Sequence, residues 1–146
     1  PSERRDAWLR SAFLPSTATP ADIVERFGEP DRRTATPTAN RHVPGQTDSI
    51  VTLEYDRGLR LELYSVAGGR DLLREAEVTA PGILESDVVD VGVAWAVITR
   101  RMGQPQGRRG GMPYYLCGSC MGAEEPVFFA VEDGVVRRIR FSYYVD

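Results

Sequence analysis

The residues best placed to do chemistry are Cys117-Gly118-Ser119-Cys120, two thiols three positions apart. A redox site of the thioredoxin kind needs its first cysteine at a helix N-terminus, where the helix dipole lowers the thiol pKa. Here the pair follows a segment, Pro113 to Cys117, that reads as a strand, and residues 121–126 leave too little chain for a helix before Val127. A zinc site needs four ligands, and the sequence offers one histidine, His42, and no second cysteine pair. A tight turn brings Cα atoms three residues apart to within about 7 Å, close enough for a disulfide. So small a loop contributes only about 2 kcal/mol in the entropic account. The disulfide between Cys117 and Cys120 is the preferred reading, and it implies an oxidising compartment. The rival is a cytosolic protein with two free thiols.

Other reactive side chains assemble into nothing comparable. His42 has no recognisable nucleophile motif around it and reads as a solvated loop histidine. Glu75 with Glu77, and Glu124 with Glu125, could supply paired carboxylates, but nothing places them across a cleft. Gly68-Gly69 and Gly110-Gly111 are turn glycines without the spacing of a phosphate-binding loop. No catalytic constellation, cofactor or metal is expected.

Composition narrows the classes further. The 146 residues suit one domain, with 42% hydrophobic and 27% charged residues. All 18 basic residues are arginine, often paired, as in Arg32-Arg33, Arg108-Arg109 and Arg137-Arg138. A phosphate-binding surface is one reading of these pairs, but the net charge of −3 favours solvated faces and argues against a nucleic-acid partner. No apolar run approaches the roughly 20 residues of a membrane-spanning helix. The chain begins at Pro1 and carries no lipid-attachment cysteine, so loss of a leader is compatible with it and an anchor is unsupported.

Stepping along the chain, residues 1–18 read as a lead-in in which Ala7, Trp8, Leu9, Phe13 and Leu14 form a short docking helix ended by Pro15. Thr19-Pro20-Ala21-Asp22 is a helix start, and Gly28 with Pro30 stops that helix at Phe27. The segment 32–48 is polar and turn-rich, with a short strand expected near Arg41 to Val43. Ile50 to Tyr55 and Leu59 to Tyr64 alternate about the turn Asp56-Arg57-Gly58, a hairpin with Leu59, Leu61 and Leu63 facing a core. Leu72 to Thr79 adds a strand. Ile83 to Val91 reads as a strand running into a second helix over Val93 to Met102, which Gly103 and Pro105 end. A Gly/Arg-rich loop spans Gln106 to Met112. Strands are then expected at Pro113 to Cys117, Val127 to Glu132 and Val135 to Tyr144, the last two joined by Asp133-Gly134. Trp8 and Trp95 read as core.

Two stretches share a grammar. Arg26-Phe27-Gly28-Glu29-Pro30 and Arg101-Met102-Gly103-Gln104-Pro105 lie 75 positions apart (28 to 103), and the hairpin turns at Asp56 and Asp133 lie 77 apart (56 to 133). Each half reads helix, loop, strand, hairpin, which suggests a duplication. The run from Thr19 to Pro30, followed by a loop and alternating strands, resembles the β-lactamase-inhibitor-protein-like fold, and a single unit is similar to the small outer-membrane-assembly lipoproteins of the BamE type. Helix two departs from it in having Ala94 where helix one has Thr19. The resemblance implies an exported bacterial protein that binds another protein and does not catalyse.

The expected fold is therefore α+β, one domain over 1–146. Two tandem helix-plus-hairpin repeats, 19–80 and 83–146, form one curved antiparallel sheet with helices on one face. The opposite face would carry Thr52, Glu54, Arg60, Glu62 and Tyr64 from the first half and Arg138, Arg140, Ser142 and Tyr144 from the second. Arginine and tyrosine are enriched in interface hot spots. The leading functional expectation is a periplasmic or secreted protein-binding module, an inhibitor or an envelope-assembly accessory, that docks through Arg60, Glu62, Tyr64, Arg138, Arg140 and Tyr144. The alternative is a small-ligand binder or enzyme with a cleft between sheet and loops, marked by a Trp- or Tyr-lined pocket and a perturbed carboxylate.

Overall fold

Helix α2, Pro20–Phe27, begins where sequence chemistry places it. The Thr19 hydroxyl accepts from the Asp22 N–H, and the Asp22 carboxylate accepts from the Thr19 N–H, a reciprocal capping box. The helix ends at Gly28, whose φ of 79° and ψ of −172° lie in a region essentially reserved for glycine. Helix α3, Trp95–Met102, ends the same way at Gly103, with φ 80° and ψ −174°. Its start differs, because Ala94 offers no side-chain cap. The Trp95 N–H instead donates to the Gly134 carbonyl at 2.8 Å. Helix α1, Ser2–Ser11, forms the lead-in.

The structure is a computed structural model and describes residues 2–118 and 124–144. Its strands are β1 (Arg32–Ala39), β2 (Thr47–Tyr55), β3 (Leu59–Ser65), β4 (Asp71–Val78), β5 (Gly107–Arg109), β6 (Met112–Tyr115), β7 (Val127–Glu132) and β8 (Val135–Ser142). All pair antiparallel in a single sheet of order β1-β2-β3-β4-β8-β7-β6-β5. Two runs of four strands thus meet along β4 and β8. The fold is α+β, as the alternating patterns imply.

One face of the sheet is apolar. Leu59, Leu61 and Leu63 are buried, as their alternation requires, and each such side chain contributes about 1.5–3 kcal/mol on burial. They join Val51, Leu53, Leu73, Ala76, Val78, Tyr115, Phe129, Ile139 and Phe141 in one core with Ile23 of α2 and Ile98 and Met102 of α3. Trp8 and Trp95, expected in the core, are partly buried against it, both beside Phe129. Phe13 stacks on Phe141, and Tyr143 donates its hydroxyl to the Leu14 carbonyl, so the lead-in is sewn to β8.

Several sequence expectations need correction. Residues 41–43 are part of a turn, not a strand, and the strand lies earlier, at β1. Pro37 obscured it; proline is tolerated because β1 is a sheet edge. Residues 83–91 form no strand. There the Asp90 carboxylate accepts from the Gly82 and Val91 N–H groups and the Ser86 hydroxyl from those of Val88 and Val89, so side chains satisfy the backbone locally in place of a partner strand. The loop at 106–112 contains β5 and the start of β6. The turns at Asp56 and Asp133 are not equivalent: the first joins the second and third strands of its half, the second joins the third and fourth. The three-residue turn Asp56-Arg57-Gly58 corresponds in strand order to the longer β6–β7 connection that holds the cysteines, and Asp133-Gly134 corresponds to the β3–β4 turn.

Candidate docking face

Strand register determines which side chains share the face opposite the core. One row crosses all eight strands. It runs Arg32, Glu54, Arg60, Glu77, Arg140, Phe128, Tyr114 and Gly107, each directly opposite the next. Five charges of alternating sign give way to two aromatic rings and a glycine. A second row places Thr34, Thr52, Glu62, Glu75 and Ser142 side by side. Arg60, Glu62, Tyr64, Arg138 and Arg140 therefore share one face, as the alternation predicts.

The contacts within this face are loose on the charged side. Arg140 Nε lies 3.8 Å from Glu75, Arg138 Nε 4.0 Å from Glu77, and Arg74 Nε 3.7 Å from Glu62. These are diagonal ion pairs beyond hydrogen-bond length, on half-exposed side chains, and such pairs are worth little, about 0–1 kcal/mol. The Arg138 Nε has no hydrogen-bond partner among the described residues, and its Nη2 rests 3.7 Å from the Met112 sulfur. Arg32, by contrast, is tightly held, at 3.2 Å from Glu54 and 2.7 Å from Asp56, and these two partners raise its already high pKa.

The aromatic end is better packed. The Tyr114 and Phe128 rings lie 5.6 Å apart, Arg140 sits 4.7 Å over Phe128, and Arg109 sits 4.7 Å over Tyr114. Gly107 makes room for the Tyr114 ring. A Cβ at this position would stand 2.6 Å from the Tyr114 hydroxyl, so the ring lies flat across the glycine. Met112, Tyr114 and Phe128 were not singled out from sequence, and Arg109 stood out only as one of the paired arginines. Arg109 lay in an apparent loop, and the apolar run Val127-Phe128-Phe129 hides its own alternation.

Tyr144 does not join the rows. It lies past the end of β8, 58% exposed, and lines a separate depression with Thr19, Pro20 and Leu72. Its N–H donates to Glu125. Cys117 follows β6, and the neighbouring Gly118 N–H donates to the buried Asp6 carboxylate of α1 at 3.1 Å. Cys120 lies outside the described residues, as does its expected bond to Cys117.

Asp48 is a buried carboxylate that sequence reading passed over. It is 1% exposed. Its Oδ1 accepts from Gln46 Nε2 and the Ala67 N–H, and its Oδ2 from Asn40 Nδ2 and the Tyr64 hydroxyl. Two donors on each oxygen fill its acceptor capacity. The Ala67 N–H and the Tyr64 hydroxyl hold the carboxyl far below the ordinary range, and Asp48 in turn raises the Tyr64 pKa. A carboxylate so saturated holds no proton to donate and has no lone pair to receive one. It is a structural pin that ties the β1–β2 loop to β3 and the β3–β4 turn. Its donors lie at 40, 46, 64 and 67, and no motif spacing announces that set.

No grouping of three or more His, Cys, Asp or Glu side chains fit to hold a metal occurs among the described residues. No helix among them is long and apolar enough to cross a membrane. No family model matches the chain, and no curated protein or solved structure matches it significantly.

Proposed function

We propose that this chain is an exported, non-catalytic protein-binding module that docks an acidic, partly apolar patch of another protein on the open sheet face. The observation that carries the reading is the arginine-on-aromatic end of the cross-sheet row, Arg140 over Phe128 and Arg109 over Tyr114. Arg109, Met112, Tyr114, Phe128, Ala130, Arg138 and Arg140 share that end of the face by register, with Glu132 at its margin on β7. These are the residue types that concentrate binding energy, on a rigid sheet that loses little entropy on docking. The weak diagonal ion pairs of Arg138 and Arg140 are readily exchanged for a partner's carboxylates.

The scaffold reading belongs to the same proposal. Two copies of a helix-plus-four-strand unit joined at β4 and β8, with helices on the core face only, would leave the other face open for a partner. Such an arrangement is that of β-lactamase-inhibitor-protein-like folds, and it carries with it the envelope or extracellular location; a Cys117–Cys120 disulfide, read from the spacing of the two cysteines, fits that oxidising compartment. Intact mass before and after alkylation without reductant tests the disulfide: two added labels would exclude it.

The decisive experiment is capture from the native envelope fraction with immobilised protein, followed by re-binding of the purified partner. Arg140→Glu should weaken that binding by about 30-fold or more, the scale of a hot-spot loss. Thr36→Glu, on the edge strand far from the aromatic end, should not. Binding should weaken as salt rises, since the screening length falls from about 10 Å at 0.1 M to about 3 Å at 1 M. Binding by Arg140→Glu equal to that of the parent sinks the proposal.

A further inference from the structure

Strand β1 is an open edge of the sheet, and all of its residues but Thr38 are exposed. The Asn40 N–H donates to the Gln46 carbonyl, which fixes the phase of the β1–β2 ladder. Thr34, Thr36 and Thr38 therefore turn their backbone groups toward β2, and Arg33, Ala35, Pro37 and Ala39 turn theirs outward. The outer edge offers the N–H groups of Arg33, Ala35 and Ala39 and the carbonyls of all four. No bond to these groups occurs among the described residues. Their side chains lie on the core side of the sheet, opposite Leu53, Val51, Ser49 and Thr47, yet are exposed, so no helix overhangs the edge.

Such an edge is a template for another strand, and proteins blunt it with brevity, charge or a bulge. The opposite edge, β5, is blunted in this way: it is three residues long, and two of them are arginines. Strand β1 runs for eight residues, carries no charge from Thr34 to Ala39, and pairs with β2 without a register shift. Pro37 alone interrupts its row of donors.

We infer that β1 pairs antiparallel with β1 of a second copy of this chain, joining two sheets edge to edge across a two-fold axis at Thr36. In that register Arg33 of one copy and Ala39 of the other exchange both backbone bonds, and the Ala35 N–H donates to the Pro37 carbonyl. Symmetry repeats each bond across the axis, and the proline leaves only the Ala35 carbonyl without a donor. On the open face Thr36 meets Thr36 and Thr34 meets Thr38, pairings that neighbouring strands favour. Charge selects the antiparallel sense: Arg32 and Arg33 of the two copies fall at opposite ends of the paired strands, whereas a parallel pairing would set them side by side. An edge that complements itself in this way makes the isologous contact of a two-fold dimer. The contact is independent of the docking proposal, because it uses none of Arg109, Tyr114, Phe128, Arg138 or Arg140.

The test is sedimentation of the intact chain from about 10 μM to about 1 mM, since a single strand pairing makes a small interface and a Kd on the order of 100 μM is expected. The mass should rise toward twice that of the chain. Thr36→Glu sets two carboxylates directly opposite each other, and Ala35→Pro removes an outward N–H without touching a bond to β2. Each should weaken dimerisation by about 10-fold or more. Amide exchange at Arg33, Ala35 and Ala39 should slow as concentration rises, while that at Thr34, Thr36 and Thr38 should not change. Arg140→Glu, which should weaken docking, should leave the dimer as it is. A chain that stays monomeric across the range overturns the pairing. So does a dimer that survives both β1 substitutions, or concentration-dependent protection confined to Arg108 on the β5 edge.

Discussion

Tyr55 of β2 and Tyr115 of β6 do the same thing in the two halves of the molecule, while the residues on the far side of the sheet do not. The Tyr55 hydroxyl donates to the Gly28 carbonyl at 2.8 Å, and the Tyr115 hydroxyl to the Gly103 carbonyl at 2.6 Å. Each ring packs on an aromatic of its own helix, Phe27 or Trp95. Each glycine closes its helix with an N–H bond of 2.8 Å to the carbonyl four residues back. On the open face the first half presents threonines and charges of both signs, the second mainly arginines and rings. The fastening of helix to sheet is alike in the two halves. The open face is under no such constraint from the core and is where the halves are able to differ.

The strongest way to break this equivalence is at the helix ends. Gly28→Ala and Gly103→Ala each force a Cβ into a backbone region that other residues avoid, at a cost of about 1–3 kcal/mol. At Gly28 no heavy atom lies within 4 Å of the new Cβ, so the cost there is backbone strain alone. Urea denaturation should show similar losses for the two variants. A loss confined to one of them would mean the two helix ends are not counterparts.

Removing the hydroxyls is a finer probe. Tyr55→Phe and Tyr115→Phe should each cost about 1 kcal/mol, the net worth of one such bond with its carbonyl left behind. Burial raises the pKa of both phenols, that of Tyr115 to about 12, so neither ionises near neutrality and the bond is the same at pH 6 and pH 9. Additive losses in the double variant, measured by thermal unfolding, would mark the pins as independent.

How much of this was legible beforehand depended on sequence separation. The α2 boundaries follow from Thr19, Pro20 and Gly28, all within one helix length. The β2–β3 hairpin follows from the strict alternation at Leu59, Leu61 and Leu63. The equivalence of Tyr55 and Tyr115 escaped notice because they lie 60 positions apart (55 to 115) while the glycines they bind lie 75 apart (28 to 103), the loops between having different lengths. The Asp48 pin draws on donors up to 19 residues away, and pairing at that range has no local signature. Strand β5 is three residues of glycine and arginine, formed by pairing with β6 and not by propensity.

Acid separates the halves more gently. The carboxyls of Asp22 and Asp48, both in the first half, are held below their ordinary pKa, the first by the Thr19 N–H and hydroxyl, the second by the Ala67 N–H and Tyr64 hydroxyl. A carboxyl depressed in the folded state adds stability that is complete above its unfolded pKa, about 3.9 for aspartate, and is lost as pH falls toward the folded value. Stability should therefore begin to fall near pH 4 and continue downward. Amide exchange should rise first in α2, β2 and β3 and later in α3, β6 and β7. Uniform exchange at pH 3 would count against a first half that is specifically acid-sensitive.

The smallest change repairs the asymmetry at the helix starts. Thr19 caps α2, whereas Ala94 leaves α3 without a side-chain acceptor. Ala94 already has the extended backbone of a capping residue, φ −63° and ψ 133°. A serine there would supply the missing oxygen without moving the chain, and Ala94→Ser should stabilise by about 0.5–1 kcal/mol, within the range for N-caps. The gain should be at the lower end, because the Trp95 N–H is already bonded to the Gly134 carbonyl and the Val97 N–H to the Ala94 carbonyl. A destabilised variant would show that the Ala94–Val135 bridge, and not an uncapped helix, governs how α3 begins.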